Sequence, residues 1–243
     1  MKKPLDLGMR QRLFSASDKR MCYVESSRLK EAVMRILFVS LFSFFITACS
    51  SSPATLFIDQ VKNSQTPLAL TPVEALHISQ AVPMPVDPGW RPPQWKITAA
   101  EPRILINGTP SNYRVFSTTL VKDKVFHINV NSWCVNACLG FSKYALNPYL
   151  ILMDAQGNVQ GEGFGKATGI VGVINQALTG TVKNSGTYYL IVAADNRAPG
   201  ETIVIDNVLL IGAAASPITP LRIGMNSYPF GSVGPFLSTE ESP

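Results

Sequence analysis

Among the 243 residues of the chain, four cysteines, Cys22, Cys49, Cys134 and Cys138, have the types and spacing that permit specific chemistry. Cys134 and Cys138 stand four apart in SWCVNACLG, which suits either a local disulfide or part of a metal site. Zinc is the weaker reading, because two cysteines lack the further ligands it needs. The chain has two histidines, His77 and His127, too few to supply a histidine-based catalytic pair readily. No G-x-S-x-G elbow, H-E-x-x-H pair or P-loop is present. DAQGN at 154–158 lacks the alternating acidic ligands of a calcium loop and reads as a plain turn. NGT at 107–109 fits a glycosylation acceptor, but a turn ending a strand is the simpler reading. The glycine-rich GEGFGKATG has no strand-to-helix context for holding phosphate. The expectation is a protein without catalytic residues, cofactor or metal.

Which cysteines remain available depends on the N-terminal segment. Residues 36–48 form a charge-free, mostly apolar run of thirteen residues, short of the roughly 20 that cross a bilayer as a helix. Arg35 precedes it and small residues end it, the anatomy of a secretory leader. Ile46-Thr47-Ala48-Cys49 resembles the bacterial lipobox, in which lipid is attached to the cysteine and cleavage falls just before it. Ser50, Ser51 and Ser52 resemble the tether that follows, and Ser50 in place of aspartate resembles the signal for outer-membrane sorting. Glu25 and Glu31 do not suit a leader, so translation is expected to begin at Met34. Residues 1–33 would then be an extension without a fold of its own, and 34–48 the signal peptide. With Cys22 discarded and Cys49 lipidated, Cys134 and Cys138 are the thiols left in an oxidising compartment, and a disulfide is expected. Residues four apart in a strand lie about 13 Å from one another, against 4.4 to 6.8 Å between bridged Cα atoms, so the segment must turn back on itself. Asn136 and Gly140 are suited to such a turn.

The charge balance follows the same division. The chain carries 21 basic and 16 acidic residues, of which nine and four precede Cys49, leaving twelve of each. A mature chain near neutrality has no basic footprint for nucleic acid, and that partner is set aside.

Eight prolines between Ser50 and Trp95 break regular structure. Residues 49–96 therefore read as a lipidated, Pro-rich tether that partly packs on the domain. One helix is expected within it, over 72–80. Thr71 caps it, Pro72 takes the first position and Glu74 completes a capping box, while Leu76 and Ile78 offer apolar surface. From residue 97 the period is that of strands. KVFHINVNS sets Phe126, Ile128 and Val130 on one face and Val125, His127, Asn129 and Asn131 on the other. YLILM at 149–153 is continuously apolar and suits a strand buried on both sides, and NSGTYYLIVAADN repeats the turn and strand. Further runs occur at RILIN, YRVFSTTL, ETIVIDNVLLIG, LRIG and SVGPFL; GEGFGKATGIVGV reads as a long loop or one poorly formed strand. The predicted fold is all-β, an antiparallel sandwich or jelly roll over 97–243.

PYLILMDAQGNV followed by SGTYYLIVAADN resembles the strand, turn and strand of the bacterial pre-peptidase C-terminal β-sandwich. The wider layout, a leader, a Pro-rich segment with a short helix, ILINGTPSNYRVFSTTL and a closing SVGPFL, is similar to the maltose-operon periplasmic protein family. The lipobox and the cysteine pair depart from that layout. The resemblance implies a carbohydrate-linked accessory protein, with Trp133, Tyr144 and Tyr149 as candidates to stack on sugar rings. The loop held by the disulfide beside Trp133 offers Asn131, Ser132 and Asn136 for hydrogen bonds to a sugar or a partner strand. The second reading is an interaction module of an envelope secretion or export assembly, docking a protein partner through an edge strand.

Overall fold

The computed structural model describes residues 51–89, 91–136, 138, 143–164, 166–170, 172–205 and 223–239. Cys22, Cys49 and Gly140 lie outside these residues, as do the second half of ETIVIDNVLLIG and the start of LRIG.

Two helical pieces precede the strands. The short helix α1 (Pro53–Leu56) has Ser52 at its N-cap, accepting a bond from the Thr55 amide, and continues as a wider, π-helical turn at Phe57–Lys62. Helix α2 (Pro72–Ile78) forms where its start signals place it: the Thr71 hydroxyl accepts from the Glu74 amide at 3.2 Å. Glu74 closes the box on the amide of Leu70, at 2.8 Å. The helix ends at Ile78, two residues before the expected limit. The contact it buries is Ala75, whereas Ile78 is exposed, so the apolar face is narrower than the sequence suggests.

The strands are β1 (Leu68–Ala69), β2 (Val82–Pro83), β3 (Trp95–Ile97), β4 (Arg103–Ile106), β5 (Thr109–Leu120), β6 (Val125–Asn136), β7 (Tyr144–Ala145) and β8 (Pro148–Asp154). They continue with β9 (Val159–Gly163), β10 (Lys166–Ile170), β11 (Val173–Thr181), β12 (Gly186–Ala194), β13 (Thr202–Ile205), β14 (Ile223–Ser227) and β15 (Gly231–Ser238). The first sheet runs β1-β4-β5-β12-β8-β9, with β2 beside β5; the second runs β10-β11-β6-β7-β14-β13, with β15 beside β6 and β3 beside β15. The expected antiparallel sandwich is therefore present, with short parallel pairs at β1/β4, β2/β5 and β7/β14.

Alternation explains the layers. On β8, Leu150 and Leu152 enter the core between the sheets, while Tyr149, Ile151 and Met153 face the helical side with Ala75 of α2. On β12, Leu190 and Val192 take the first side and Ile191 and Ala193 the second. Two apolar faces at about 25 cal/mol per Å² of buried surface make the first sheet the hydrophobic centre of the molecule. The hairpin between β4 and β5 turns on Asn107 and Gly108, both with positive φ (50° and 83°), the pairing that a two-residue turn requires.

Two sequence expectations are revised. The Pro-rich segment supplies β1, β2 and β3 to the sheets, and buries Val61, Ala69, Ala75 and Met84. Pro53 and Pro72 stand at helix starts and Pro83 ends β2, where a missing N–H costs little. The Asp87 carboxylate further ties it to the amide and hydroxyl of Thr239. The glycine-rich segment forms β9, β10 and the start of β11 in place of a loop. Backbone pairing between β10 and β11 holds this stretch as strand, in register from Lys166/Ala177 to Ile170/Val173.

Candidate functional site

The second sheet turns one face to the core and the other away from the first sheet. On β6, Ile128 and Val130 are fully buried in the core, which directs His127, Asn129, Asn131 and Trp133 to the outer face. Register brings matching polar residues beside them: Thr179 opposes His127, Asn175 opposes Asn131, and Thr168 of β10 opposes Asn175. They form a ladder. Asn175 Nδ2 donates to Asn131 Oδ1 at 2.7 Å, Thr168 Oγ1 donates to Asn175 Oδ1 at 3.4 Å, and His127 Nδ1 lies 3.2 Å from Thr179 Oγ1. Between the rungs, Asn129 is only 3 % exposed, and its Nδ2 has no hydrogen-bond partner among the described residues. A buried donor without an acceptor is costly to keep, by about 1–3 kcal/mol, so this one is noteworthy.

Trp133 stands at the end of this ladder, half-buried, with Ser232 of β15 and Val173 of β11 opposite it. Ser132, grouped with it in the sequence, points the other way. It is fully buried and its hydroxyl donates to the Leu146 carbonyl at 2.6 Å, so it is unavailable to a ligand. The Cys134–Cys138 disulfide forms as expected, with the two Cα atoms 5.7 Å apart, closing the chain back on the end of β6. Asn136 ends that strand, but its side chain lies outside the described part.

The three aromatic candidates do not converge. Tyr144 pairs across from Asn136 and packs against Tyr228, ring centroids 5.7 Å apart. Tyr149 lies on the far side of the first sheet, 8 % exposed, edge-on to Phe164 at 5.5 Å and 5.8 Å from the Arg197 guanidinium. Burial raises its phenol pKa above the ordinary value, with Glu162 adding to the rise. Tyr149 is a packing residue, and the expectation that it stacks on a ligand is corrected.

A second polar feature has no local signature in the chain. An open cleft of about 520 Å³ lies between the α2–β2 connection and β5, lined by Ser79, Gln80, Pro83, Glu101, Pro102 and Arg114. Arg114 Nη2 meets Glu101 Oε1 at 2.7 Å and Nε donates to the Lys96 carbonyl at 2.7 Å. The amide and hydroxyl of Thr98 both donate to Glu101 Oε2, each at 2.6 Å. Burial alone would raise the Glu101 pKa, but the bonds from Thr98 and the Arg114 charge outweigh it and hold the carboxyl below its ordinary range. A carboxylate held ionised in this way is a poor proton donor.

Among the described residues no group of His, Cys, Asp and Glu could hold a metal ion, and no helix is long and apolar enough to cross a membrane. No protein-family model matches the chain, and no curated protein matches it. Among solved structures it is similar to the pre-peptidase C-terminal domain of a collagenase from Bacillus anthracis, at 10 % identity. That match covers 65 % of this chain and 95 % of the other, with a TM-score of 0.29.

Proposed function

We propose that the protein is a non-enzymatic binding lipoprotein, anchored through lipid on Cys49 to the periplasmic face of the outer membrane, and that it binds carbohydrate on the outer face of its second sheet. The observation that carries this reading is the ladder His127/Thr179, Asn129 and Asn131/Asn175/Thr168 ending at Trp133. A sugar ring presents C–H groups on one side and hydroxyls at its rim. An indole face complements the first and amide side chains, which both donate and accept, complement the second. Asn131 and Asn175, both only partly buried, are the amides a hydroxyl brought onto the face would meet. The maltose-operon resemblance points to maltodextrins as the first ligands to try.

The test is titration of maltodextrins into the protein by calorimetry, comparing wild type with Trp133→Ala and Asn131→Ala. Specific binding lost in both variants at unchanged fold supports the proposal. Binding absent from wild type, with envelope proteins captured instead by crosslinking at the outer strands, would replace it with the interaction-module reading. Intact mass of the purified native protein tests the anchor: a lipid-bearing N-terminal Cys49 is expected, and a free amine at another residue overturns it.

A further inference from the structure

We infer that one end of the sandwich, the end bearing the disulfide, rests on the bilayer surface, with Phe164 and Val135 in the headgroup region. The inference depends on the lipid at Cys49 proposed above, and covalent geometry makes the first step. Four Cα-to-Cα steps separate Cys49 from Pro53, which span at most about 14 Å when fully extended. Pro53 in turn lies against Gly200, whose added β-carbon would stand 3.8 Å from the proline ring. A lipid on Cys49 therefore keeps the Gly200 loop within that reach plus one residue-to-residue contact, about 20 Å, of the membrane.

Strand directions show what else is at this end. Gly200 donates its amide to the Ser227 carbonyl at 2.8 Å, at the end of β14, and Asn226 of that strand pairs with Tyr144 of β7, which pairs with Asn136 at the end of β6. Three residues before Gly200, Arg197 is held by Asp195 at 2.8 Å and lies 5.1 Å from the Phe164 ring. Phe164 is 44 % exposed, and among the described residues it is the one aromatic left open to solvent. Val135, beside the disulfide, is 39 % exposed, and the Tyr144/Tyr228 pair lies half-buried beside it. Exposed aliphatics occur at the opposite end too, at Val121 and Val125, but with Lys122, Asp123 and Lys124 between them and without an aromatic. An aromatic ring, an arginine beside it and tyrosines near the anchor make up the composition that settles at a lipid headgroup boundary. The ladder would then stand upright on the membrane, with Trp133 at its lower end and His127 at its upper end.

The lipidated full-length protein, reconstituted in vesicles of phosphatidylethanolamine and phosphatidylglycerol with or without brominated acyl chains, gives the test. A tryptophan placed by Phe164→Trp, or in a second variant by Val135→Trp, is expected to lose fluorescence in brominated vesicles beyond the loss seen in wild type. One placed by Val125→Trp at the far end is expected to lose none. Flotation of the same vesicles reads the anchor separately. Protein that floats without quenching at 164 or 135, or with equal quenching at 125, overturns the seated end and leaves the anchor standing. Protein that fails to float overturns the anchor and this inference with it.

Discussion

The six-membered ring of Trp133 occupies the space that a side chain at Gly234 would need: its Cζ3 lies 2.8 Å from the position of an added β-carbon, closer than real β-carbons approach. The carbonyl of Pro93 closes the same space from the Pro-rich side, also at 2.8 Å. Trp133 is thus seated on bare backbone of β15, and that glycine fixes the height of the indole above the ladder. Gly234→Ala is expected to push the ring out and destabilise the protein by about 1–3 kcal/mol, the usual range for overpacking. Urea unfolding together with tryptophan emission measures both. In a Trp133→Ala background the same change should cost less but not nothing, because Pro93 remains.

Arg103 is 7 % exposed and fastens the first helical piece to the first sheet. It donates to the carbonyls of Val61 at 2.8 Å, Lys62 at 3.5 Å and Thr66 at 2.6 Å. Val61 and Lys62 end the last helical turn, where carbonyls lack intrahelical donors, and Thr66 lies just beyond it. Arg103→Met removes a charged donor while keeping its bulk, and a loss of about 2–4 kcal/mol is expected. Hydrogen exchange should show the opening concentrated in residues 53–66. Uniform deprotection of the whole sandwich would show the clamp to be part of the common core instead.

The disulfide closes a loop of five residues. Chain-entropy arguments give so short a loop about 2 kcal/mol, below the roughly 3 kcal/mol of a 15-residue one. Cys134→Ser with Cys138→Ser is expected to lower the unfolding free energy by that modest amount and leave the strands intact by circular dichroism. Native protein should resist alkylation at both positions until it is reduced.

Acid stability reports on the Glu101 carboxyl. Its pKa is depressed in the folded state, so the stabilisation it gives is present above its unfolded value, about 4.3, and is lost as pH falls through the lower folded value. Wild type is expected to lose stability below about pH 4 partly through this group. Glu101→Gln should flatten that part of the profile. Arg114→Met should also flatten it, but less, because the two Thr98 bonds remain.

Local pattern made some of this legible and long-range pairing hid the rest. The alternation of β6 and β12, the doubly buried β8 and the capped start of α2 were readable, because each needs only its own few residues to declare itself. The same alternation sends Ser132 to the core, a consequence that grouping it with Trp133 by proximity overlooked. Proline density concealed β1, β2 and β3, whose partners Ile104, Phe116 and Val233 lie far along the chain. The glycines of β9 and β10 concealed strands that appear through their register with β8 and β11. The ladder could be sensed only in part: Asn129 and Asn131 were placed on one face, but Asn175, Thr168 and Thr179 join them through register. The Arg103 clamp and the Glu101/Arg114 pair leave no local trace, since their partners come from separate elements.

The pairing of β6 with β15 has a consequence for the order in which the molecule assembles. Trp133 meets Ser232 and His127 meets Ser238, so the central strand of the second sheet is flanked on one side by residues about a hundred positions later. Until those residues are free to dock, the 127–133 stretch of one β6 edge lacks its partner, with only the short β7 beside Cys134 and Asn136, and β3 lacks β15, its partner among the described residues. Such non-local closure is slow, because the cost of bringing distant segments together is met before any contact offsets it. A chain emerging from its N-terminus would therefore keep its second sheet open until β15 had followed, a late step set by topology and not by local propensity.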